Sequence, residues 1–206
     1  MSKWKKLVVG VATAATLSLP YFVGENVKDI KDGDTFTIGN GQLIRLYGLD
    51  APEPLNCYGS EATRRLSELI SGKRVVLREP IVDHYRRVVA LVYVDGKLVN
   101  EMMIREGFGH YERSGQSESQ ALREANQYAR ANKLGIYGPE CYQPDPPDPK
   151  CVIKGNYDRD KYKWVYLLPT CPYYNKTIIE KFKGERYFCS ELEAQKAGFT
   201  KAAFCK

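Results

Sequence analysis

The hydrophobic and polar positions between residues 27 and 135 alternate in ways that predict a small barrel with packed helices. Short β-branched or aromatic runs, broken by Asp-Gly and Asn-Gly pairs, predict the strands VKDI, TFTI, LIRLYGL, KRVVLRE and RVVALVYV. The segment GNGQ between the second and third runs predicts a tight hairpin, because Asn and Gly tolerate positive φ. With the helices described next, the order is three strands, helix, two strands, two helices. This order predicts an α+β fold: an OB-like five-stranded Greek-key barrel with three packed helices.

The three helices follow from apolar residues three or four positions apart. Within SEATRRLSELIS, one face of the first helix is formed by Ala62, Leu66, Leu69 and Ile70. Ser60 is its predicted N-cap, because a serine side chain accepts a hydrogen bond from a free N–H of the first turn. The second helix, LVNEMMIREG, is expected to stop at Gly107, and the third, SESQALREANQYARANKLG, at Gly135.

The two ends of the chain predict further regions outside the barrel domain, which we place at residues 25–141. Three lysines precede the uncharged residues 7–24, which is the order of a secretory signal. Residues 1–24 are therefore predicted to be a signal peptide or, since no clear cleavage site follows, an N-terminal membrane anchor. Residues 142–150, YQPDPPDPK, predict a stiff proline-rich linker. Residues 151–206 predict a small, disulfide-rich C-terminal module.

Composition and charge narrow the setting in which the protein acts. The formal net charge of +6 favours a polyanionic partner over a cationic one. Six cysteines, an even number, agree with export and predict three disulfides in a secreted or extracytoplasmic protein. No C-x-x-C pair occurs, which argues against zinc, although a tetrathiolate metal site built from the last four cysteines stays an alternative.

Acidic residues and arginines crowd around the first predicted hairpin, DGDTFTIGNGQLIRLYGLDAPEP, and a second loop, DHYRR, follows on a neighbouring strand pair. Asp-Gly-Asp alone would indicate only a turn. Phosphodiester hydrolysis, however, needs a hard cation, a base for water, and positive charge on the phosphate. Carboxylates bind calcium, arginine pairs with phosphate, and a glutamate can deprotonate the attacking water. The residues that supply this set are Asp34, Asp50, Glu53, Arg45 and Arg87.

Several segments together, DGDT, IRLYGLDAPE, YGSEA and DHYRRVVALVYVDGKLVNEMMIREG, resemble the staphylococcal nuclease (thermonuclease) family over about residues 27–140. The resemblance implies that calcium is held by Asp34, Asp50 and the backbone carbonyl of Ala51. It implies a calcium-dependent endonuclease that cleaves DNA and RNA to products with 3′-phosphate ends. We expect such a protein to act as a monomer.

The same resemblance assigns roles to the remaining residues. Arg45 and Arg87 would bind and stabilise the phosphate in the transition state, and Glu53 would act as the general base. Asp32 corresponds to an acid that supports the metal ligands, and Tyr85 to an aromatic residue that touches the terminal phosphate of the substrate. The alternative is a catalytically silent nucleic-acid-binding or surface-attachment protein built on the same barrel.

Further predictions concern the C-terminal module, the two histidines and the pairing of the cysteines. The C-terminal module weakly resembles a short cysteine-containing module appended to exported bacterial proteins. Its aromatic residues predict either a small core or, amid lysines, an accessory surface for nucleic acid or cell wall. His84 and His110 are predicted to be surface or loop residues rather than metal ligands. The expected disulfide pairs are Cys57–Cys141, Cys171–Cys189 and Cys151–Cys205.

Overall fold

A computed structural model of the chain describes residues 24–112, 115–158 and 160–205. The predicted signal peptide or membrane anchor therefore lies almost wholly outside the described residues. Among the residues that are described, no helix combines the length and the apolar composition needed to cross a membrane.

The N-terminal part of the chain folds as a closed barrel. Its elements are β1 (Glu25–Ile30), β2 (Thr35–Ile38), β3 (Leu43–Leu46), β4 (Leu49–Asp50), α1 (Gly59–Ile70), β5 (Arg74–Val82), β6 (Val88–Val94), β7 (Lys97–Leu98), α2 (Val99–Arg105), β8 (His110–Tyr111) and α3 (Ser119–Ala131). Strands β3, β2, β1, β5 and β6 are antiparallel neighbours in that order, and β3 pairs in parallel with β6 to close the ring. The five-stranded OB-like barrel with three helices is confirmed.

The core of the barrel lies between the inner faces of the strands and the three helices. The predicted face of α1 is buried, as expected from its spacing. The fully buried side chains that fill the core include Phe36, Ile44, Leu46, Leu66, Ile70, Leu91, Met103, Ile104 and Leu122. Burial of this apolar surface holds the helices on the barrel, since it is the main favourable contribution to folding.

Two helix ends differ from the sequence prediction. Helix α1 begins at Gly59, so Ser60 is not its N-cap; Tyr58 holds that position with φ of 68°. The chain passes so close to Glu53 there that only glycine fits at position 59, because a Cβ atom would lie 2.0 Å from the carbonyl oxygen of Glu53. Helix α3 ends at Ala131 rather than at Gly135, because Lys133 adopts the left-handed conformation, with φ of 53°.

The C-terminal module is a four-stranded sheet with one short helix. Its elements, with the short strand that precedes it, are β9 (Tyr142–Gln143), β10 (Ile153–Asp158), β11 (Lys163–Leu167), β12 (Ile179–Glu180), β13 (Arg186–Phe188), α4 (Glu191–Lys196) and β14 (Thr200–Lys201). The sheet order is β13-β10-β11-β14, with β11 and β14 parallel.

The module is docked on the barrel rather than separated from it by an extended spacer. The first two residues of the predicted linker form β9, which pairs with β12 of the module. The backbone N–H of Lys181 donates to the carbonyl of Cys141 at 2.8 Å. Phe182, only 3% exposed, packs in one cluster with Ile136, Tyr137 and Cys141. Pro-rich composition alone did not predict this contact.

All six cysteines are paired, which excludes a tetrathiolate metal site in the tail. The expected Cys57–Cys141 bond is confirmed, but the two tail pairings are wrong. The observed bonds are Cys151–Cys189 and Cys171–Cys205. The sheet explains the exchange: β10 pairs with β13, which brings Cys151 beside Cys189, and β11 pairs with β14, which brings the following segments together.

The Cys57–Cys141 bond is expected to stabilise the whole barrel, because it closes a loop with a sequence separation of 84. Replacing both residues with alanine should lower the free energy of unfolding by about 2–4 kcal/mol, as measured in urea. The matched control removes Cys171–Cys205, with a separation of 34, and should cost less in the chain-entropy account. A loss below about 1 kcal/mol for the first pair would contradict the expectation.

Candidate active site

The loop before β2 is shaped by Asp32. Its Oδ1 atom accepts hydrogen bonds from the backbone N–H groups of Asp34 at 3.0 Å and Thr35 at 2.8 Å. Gly33 between the two aspartates permits a close approach, since a Cβ atom there would lie 2.8 Å from the Cβ of Ala51. Asp32 therefore positions Asp34 against the segment that carries Asp50.

Arg45 bridges the two aspartates. Its Nη1 donates to Asp34 Oδ1 at 2.5 Å, and its Nη2 donates to Asp50 Oδ1 at 2.9 Å. The β2–β3 register explains why: Thr35 lies opposite Arg45, so the residue before Thr35 lies near the guanidinium. The side chains of Asp34, Arg45 and Asp50 are 4%, 19% and 40% exposed, so the group runs from the core to solvent.

Asp34 is the most buried carboxylate of the group. Loss of water around it raises its pKa to about 7, with Arg45 acting in the opposite direction and Asp32 adding repulsion. It also accepts hydrogen bonds from the hydroxyl of Thr35 at 2.8 Å and from the N–H of Ala51 at 3.1 Å. A carboxylate in such a place is stabilised by any additional positive charge.

Asp50 also belongs to a second cluster. Strand β4 pairs with β8 so that Asp50 faces His110, whose Nε2 lies 3.6 Å from Asp50 Oδ2. One donor atom each from Asp50, His110 and Glu112 lie within 4.8 Å of one another. His110 is only 14% exposed, so its prediction as a surface or loop residue is wrong.

Glu112 was not singled out from the sequence, and His110 was not recognised as part of the site. The available signal was their spacing: residues two apart in an extended segment point to the same face. The tight β4–β8 contact depends on Gly109, because a Cβ atom there would lie 2.9 Å from the carbonyl oxygen of Asp50. Only the paired strands show that this face meets Asp50.

Two donor sets thus share Asp50, and they differ in the metal they suit. Asp34, Asp50 and the backbone of Ala51 offer oxygen atoms, the donors that calcium prefers. The convergence of both aspartates on one guanidinium shows that the pair can share a single positive charge. The set with His110 and Glu112 includes an imidazole, which is a donor more typical of transition metals.

Glu53 is exposed and lines an open cleft of about 490 Å³ together with Asp50, Ala51, His110 and Glu112. This volume lies within the range of typical small-molecule binding pockets, which is roughly 300–1,000 Å³. A carboxylate at this place has access to water and to the neighbouring carboxylates. The structure therefore brings five of the predicted site residues together, namely Asp34, Arg45, Asp50, Ala51 and Glu53.

Arg87 and Tyr85 lie in the turn between β5 and β6. Arg87 Nε donates to Asp83 Oδ2 at 2.8 Å, and its guanidinium lies 5.2 Å from the ring centre of Tyr85, which is 68% exposed. Arg45 pairs with Val89 of β6, and Arg87 directly precedes the first residue of that strand, so the Arg87 turn lies at the end of the strand beside Arg45. In the described residues the guanidinium of Arg87 is thus paired with Asp83, outside the group that Arg45 bridges. His84 stacks on the same exposed tyrosine, with ring centroids 3.8 Å apart.

The fold and the site together define an OB-barrel protein with an arginine-bridged acidic centre at one rim. Residues 43–138 match the family model described as staphylococcal nuclease homologue. The chain is 32% identical over 153 residues to micrococcal nuclease of Shigella flexneri, and the match covers 66% of this chain and 87% of that one. The chain belongs to the staphylococcal nuclease family, which confirms the resemblance seen in the sequence.

Two further relatives are similar over a shorter span. An uncharacterized endonuclease of Haemophilus influenzae is 31% identical over 115 residues, which is 54% of this chain and 64% of that protein. The prophage-derived endonuclease YokF of Bacillus subtilis is 33% identical over 130 residues, which is 55% of this chain and 44% of that protein. The match therefore spans less than two thirds of these two relatives.

Proposed function

We propose that this protein is an exported, calcium-dependent endonuclease that hydrolyses DNA and RNA and leaves 3′-phosphate ends. The observation that carries the proposal is the convergence of Asp34 and Asp50 on the guanidinium of Arg45, at the rim of a barrel in this family. Relatives of the chain bear the names nuclease and endonuclease, which supports the same reaction.

In this proposal the oxygen donors of Asp34, Asp50 and Ala51 hold the calcium ion. When bound, the ion supplies positive charge for a phosphate oxygen and for water. The burial of Asp34 supports this arrangement, because a bound divalent cation offsets the cost of burying the negative charge of the carboxylate. Asp32 keeps Asp34 in place through the loop hydrogen bonds.

Glu53 accepts a proton from the attacking water, whose oxygen forms a bond to phosphorus. The bond between phosphorus and the 5′ oxygen breaks, and that oxygen takes up a proton from solvent water, so the products end in a 3′-phosphate and a 5′-hydroxyl. Arg45 and Arg87 donate hydrogen bonds to the oxygens that gain charge in the transition state. Tyr85, exposed beside Arg87, contacts the terminal phosphate of the bound strand.

Export is supported by the three disulfides, since such bonds persist in oxidising compartments. It agrees with the basic-then-apolar order of the first 24 residues. We further propose that the protein acts as a monomer, as expected from the sequence.

Incubation with plasmid DNA and with total RNA tests the proposal. Cleavage should appear with Ca²⁺ and stop when a chelator is added, and the products should accept a 5′ label from a kinase without phosphatase treatment. In parallel, Ca²⁺ should raise the Tm, because a ligand that binds only the folded state stabilises it. At a Ca²⁺ concentration of 100 times Kd, the free energy of unfolding should increase by about 2.7 kcal/mol.

Asp50→Asn should abolish the Ca²⁺-dependent rise in Tm, whereas Asp158→Asn, in the module, should retain it. Nucleic-acid binding without cleavage under any divalent cation would favour the catalytically silent alternative. Activity with Zn²⁺ or Mn²⁺ but not with Ca²⁺ would instead assign the metal site to the donor set of Asp50, His110 and Glu112.

A further inference from the structure

The cleft beside Glu53 has a second wall that the barrel does not supply. The C-terminal module contributes it, with the residues Tyr157, Tyr162, Trp164, Phe182, Lys183 and Glu185. We propose that the three rings of Tyr157, Tyr162 and Trp164, here called the aromatic wall, bind an unstacked base of a single-stranded nucleic acid next to the phosphate that is cleaved. This inference rests on the proposed function and locates a specificity determinant in the module.

The aromatic wall combines a fixed surface with an open one. Trp164 is half-buried and packs against Tyr157 and Phe199, with ring centroids 5.0 and 5.1 Å apart. Tyr162, in the turn between β10 and β11, is 82% exposed. A nucleobase can therefore stack on rings that are already held in place, which lowers the entropic cost of binding.

The position of the wall relative to the barrel is held by direct contacts. Phe182 is buried, its ring centroid lies 5.8 Å from that of His110, and its carbonyl accepts a hydrogen bond from Asn56 Nδ2 at 3.3 Å. Glu185 accepts hydrogen bonds from Asn156 Nδ2 at 2.7 Å and from the N–H of Tyr157 at 3.3 Å. The contacts of Phe182 hold the module on the barrel, and those of Glu185 hold Tyr157 within the module, so the aromatic wall lines the same cleft as Asp50.

The charges that line the cleft favour entry of a base rather than of a phosphate. Asp50, Glu53 and Glu112 make the barrel side of the cleft negative, so it repels phosphates that no cation neutralises. The faces of bases carry no net charge and stack on aromatic rings. Lys161 and Lys163 are exposed on either side of Tyr162, where they can follow the backbone while the base enters.

A base inside a duplex is already stacked and paired, so it reaches the wall only at the cost of leaving the helix. A base of a single strand does not bear that cost. The aromatic wall should therefore increase the affinity for single strands and have little effect on duplexes.

A matched pair of tyrosines in the module tests the proposal. Tyr162 and Tyr173 are both exposed, by 82% and 64%, and both have positive φ, 52° and 68°. Asparagine tolerates that backbone, so both Tyr→Asn changes are compatible with the fold. Only Tyr162 lines the cleft; Tyr173 packs against Phe204 elsewhere in the module.

For the full chain with Ca²⁺, Tyr162→Asn should raise KM for a single-stranded oligothymidylate at least about 5-fold, since base stacking on one ring gives about that factor or more. KM for a duplex of the same strand should change less than about 2-fold, and Tyr173→Asn should change neither. An equal loss on both substrates, no loss, or a gain in activity would overturn the proposal.

Trp164 provides a readout that does not depend on cleavage. The chain has two tryptophans, and the other is Trp4, so a Trp4→Phe background reports on Trp164 alone. A hydrolysis-resistant phosphorothioate oligothymidylate, added with Ca²⁺, should quench its fluorescence, and Tyr162→Asn should weaken that binding. If this probe quenches the fluorescence but the unmodified oligothymidylate is not cleaved, the proposed nuclease is rejected and the binding site is kept. If the unmodified oligothymidylate is cleaved but the probe does not quench, the binding site alone is rejected.

Discussion

Glu53→Gln is expected to lower kcat by about 10²–10⁴-fold on both DNA and RNA, because the amide cannot take the proton of the attacking water. Glu53 is exposed at the cleft, and its contacts with Asn56 and Gly59 are made by the backbone carbonyl, which the substitution leaves in place. The Tm and its increase with Ca²⁺ should therefore stay unchanged. Single-turnover kinetics measure the chemical step directly, so slow product release cannot hide the effect.

Glu140→Gln is the matched control for this change. Glu140 is also exposed, at the end of the barrel domain and away from the cleft, and its replacement should leave kcat unaltered. If Glu53→Gln keeps more than about a tenth of the activity, another group acts as the base. Glu112, which lines the same side of the cleft, would then be the next residue to replace.

Arg45→Ala should have the largest effect on stability. Its removal leaves the buried Asp34 without its positive partner, and the loss of one member of a buried ion pair costs about 3–5 kcal/mol. Activity should also be lost, because Arg45 is proposed to bind the phosphate. Ca²⁺ should restore part of the lost stability, since the ion supplies positive charge to the same carboxylates.

Arg87→Ala separates the effect of an arginine on stability from its effect on activity. Arg87 pairs with Asp83 in a partly exposed turn, where Asp83 keeps its hydrogen bonds from backbone N–H groups, so the loss of Arg87 should cost less stability than the loss of Arg45, while activity should fall as it does for Arg45→Ala. Urea unfolding with and without Ca²⁺ measures both variants. Equal stability losses, or no effect of Ca²⁺ on Arg45→Ala, would contradict the assigned places of these arginines.

The predictions that succeeded depend on short distances along the chain. Gly39, Asn40 and Gly41 form the β2–β3 turn, in which the N–H of Gly41 donates to the carbonyl of Ile38, and the resulting register sets Arg45 opposite Thr35 and hence beside Asp34. Asp50 follows only five residues after Arg45, so local geometry brings it to the same guanidinium. The Cys57–Cys141 bond was anticipated because both residues lie at ends of predicted segments, beside the start of α1 and beyond the end of α3.

The predictions that failed depend on pairings between distant, very short strands. Strands β4 and β8 have two residues each and are 60 positions apart, so no periodicity reveals that His110 meets Asp50. The tail disulfides follow the order of the module sheet, in which β11 and β14 are parallel. Neither composition nor spacing contains that order.

The amino-acid sequence by itself determined the barrel, its helices and the group of Asp34, Arg45 and Asp50, because hydrophobic periodicity and tight turns act over a few residues. Only the tertiary structure decided that the module lies across the cleft from Glu53. The tertiary structure also decided which cysteines of the module form disulfide bonds with each other. The physical reason is that these contacts arise when separately formed surfaces pack, and the free energy of that packing depends on shapes that exist only after the chain has folded.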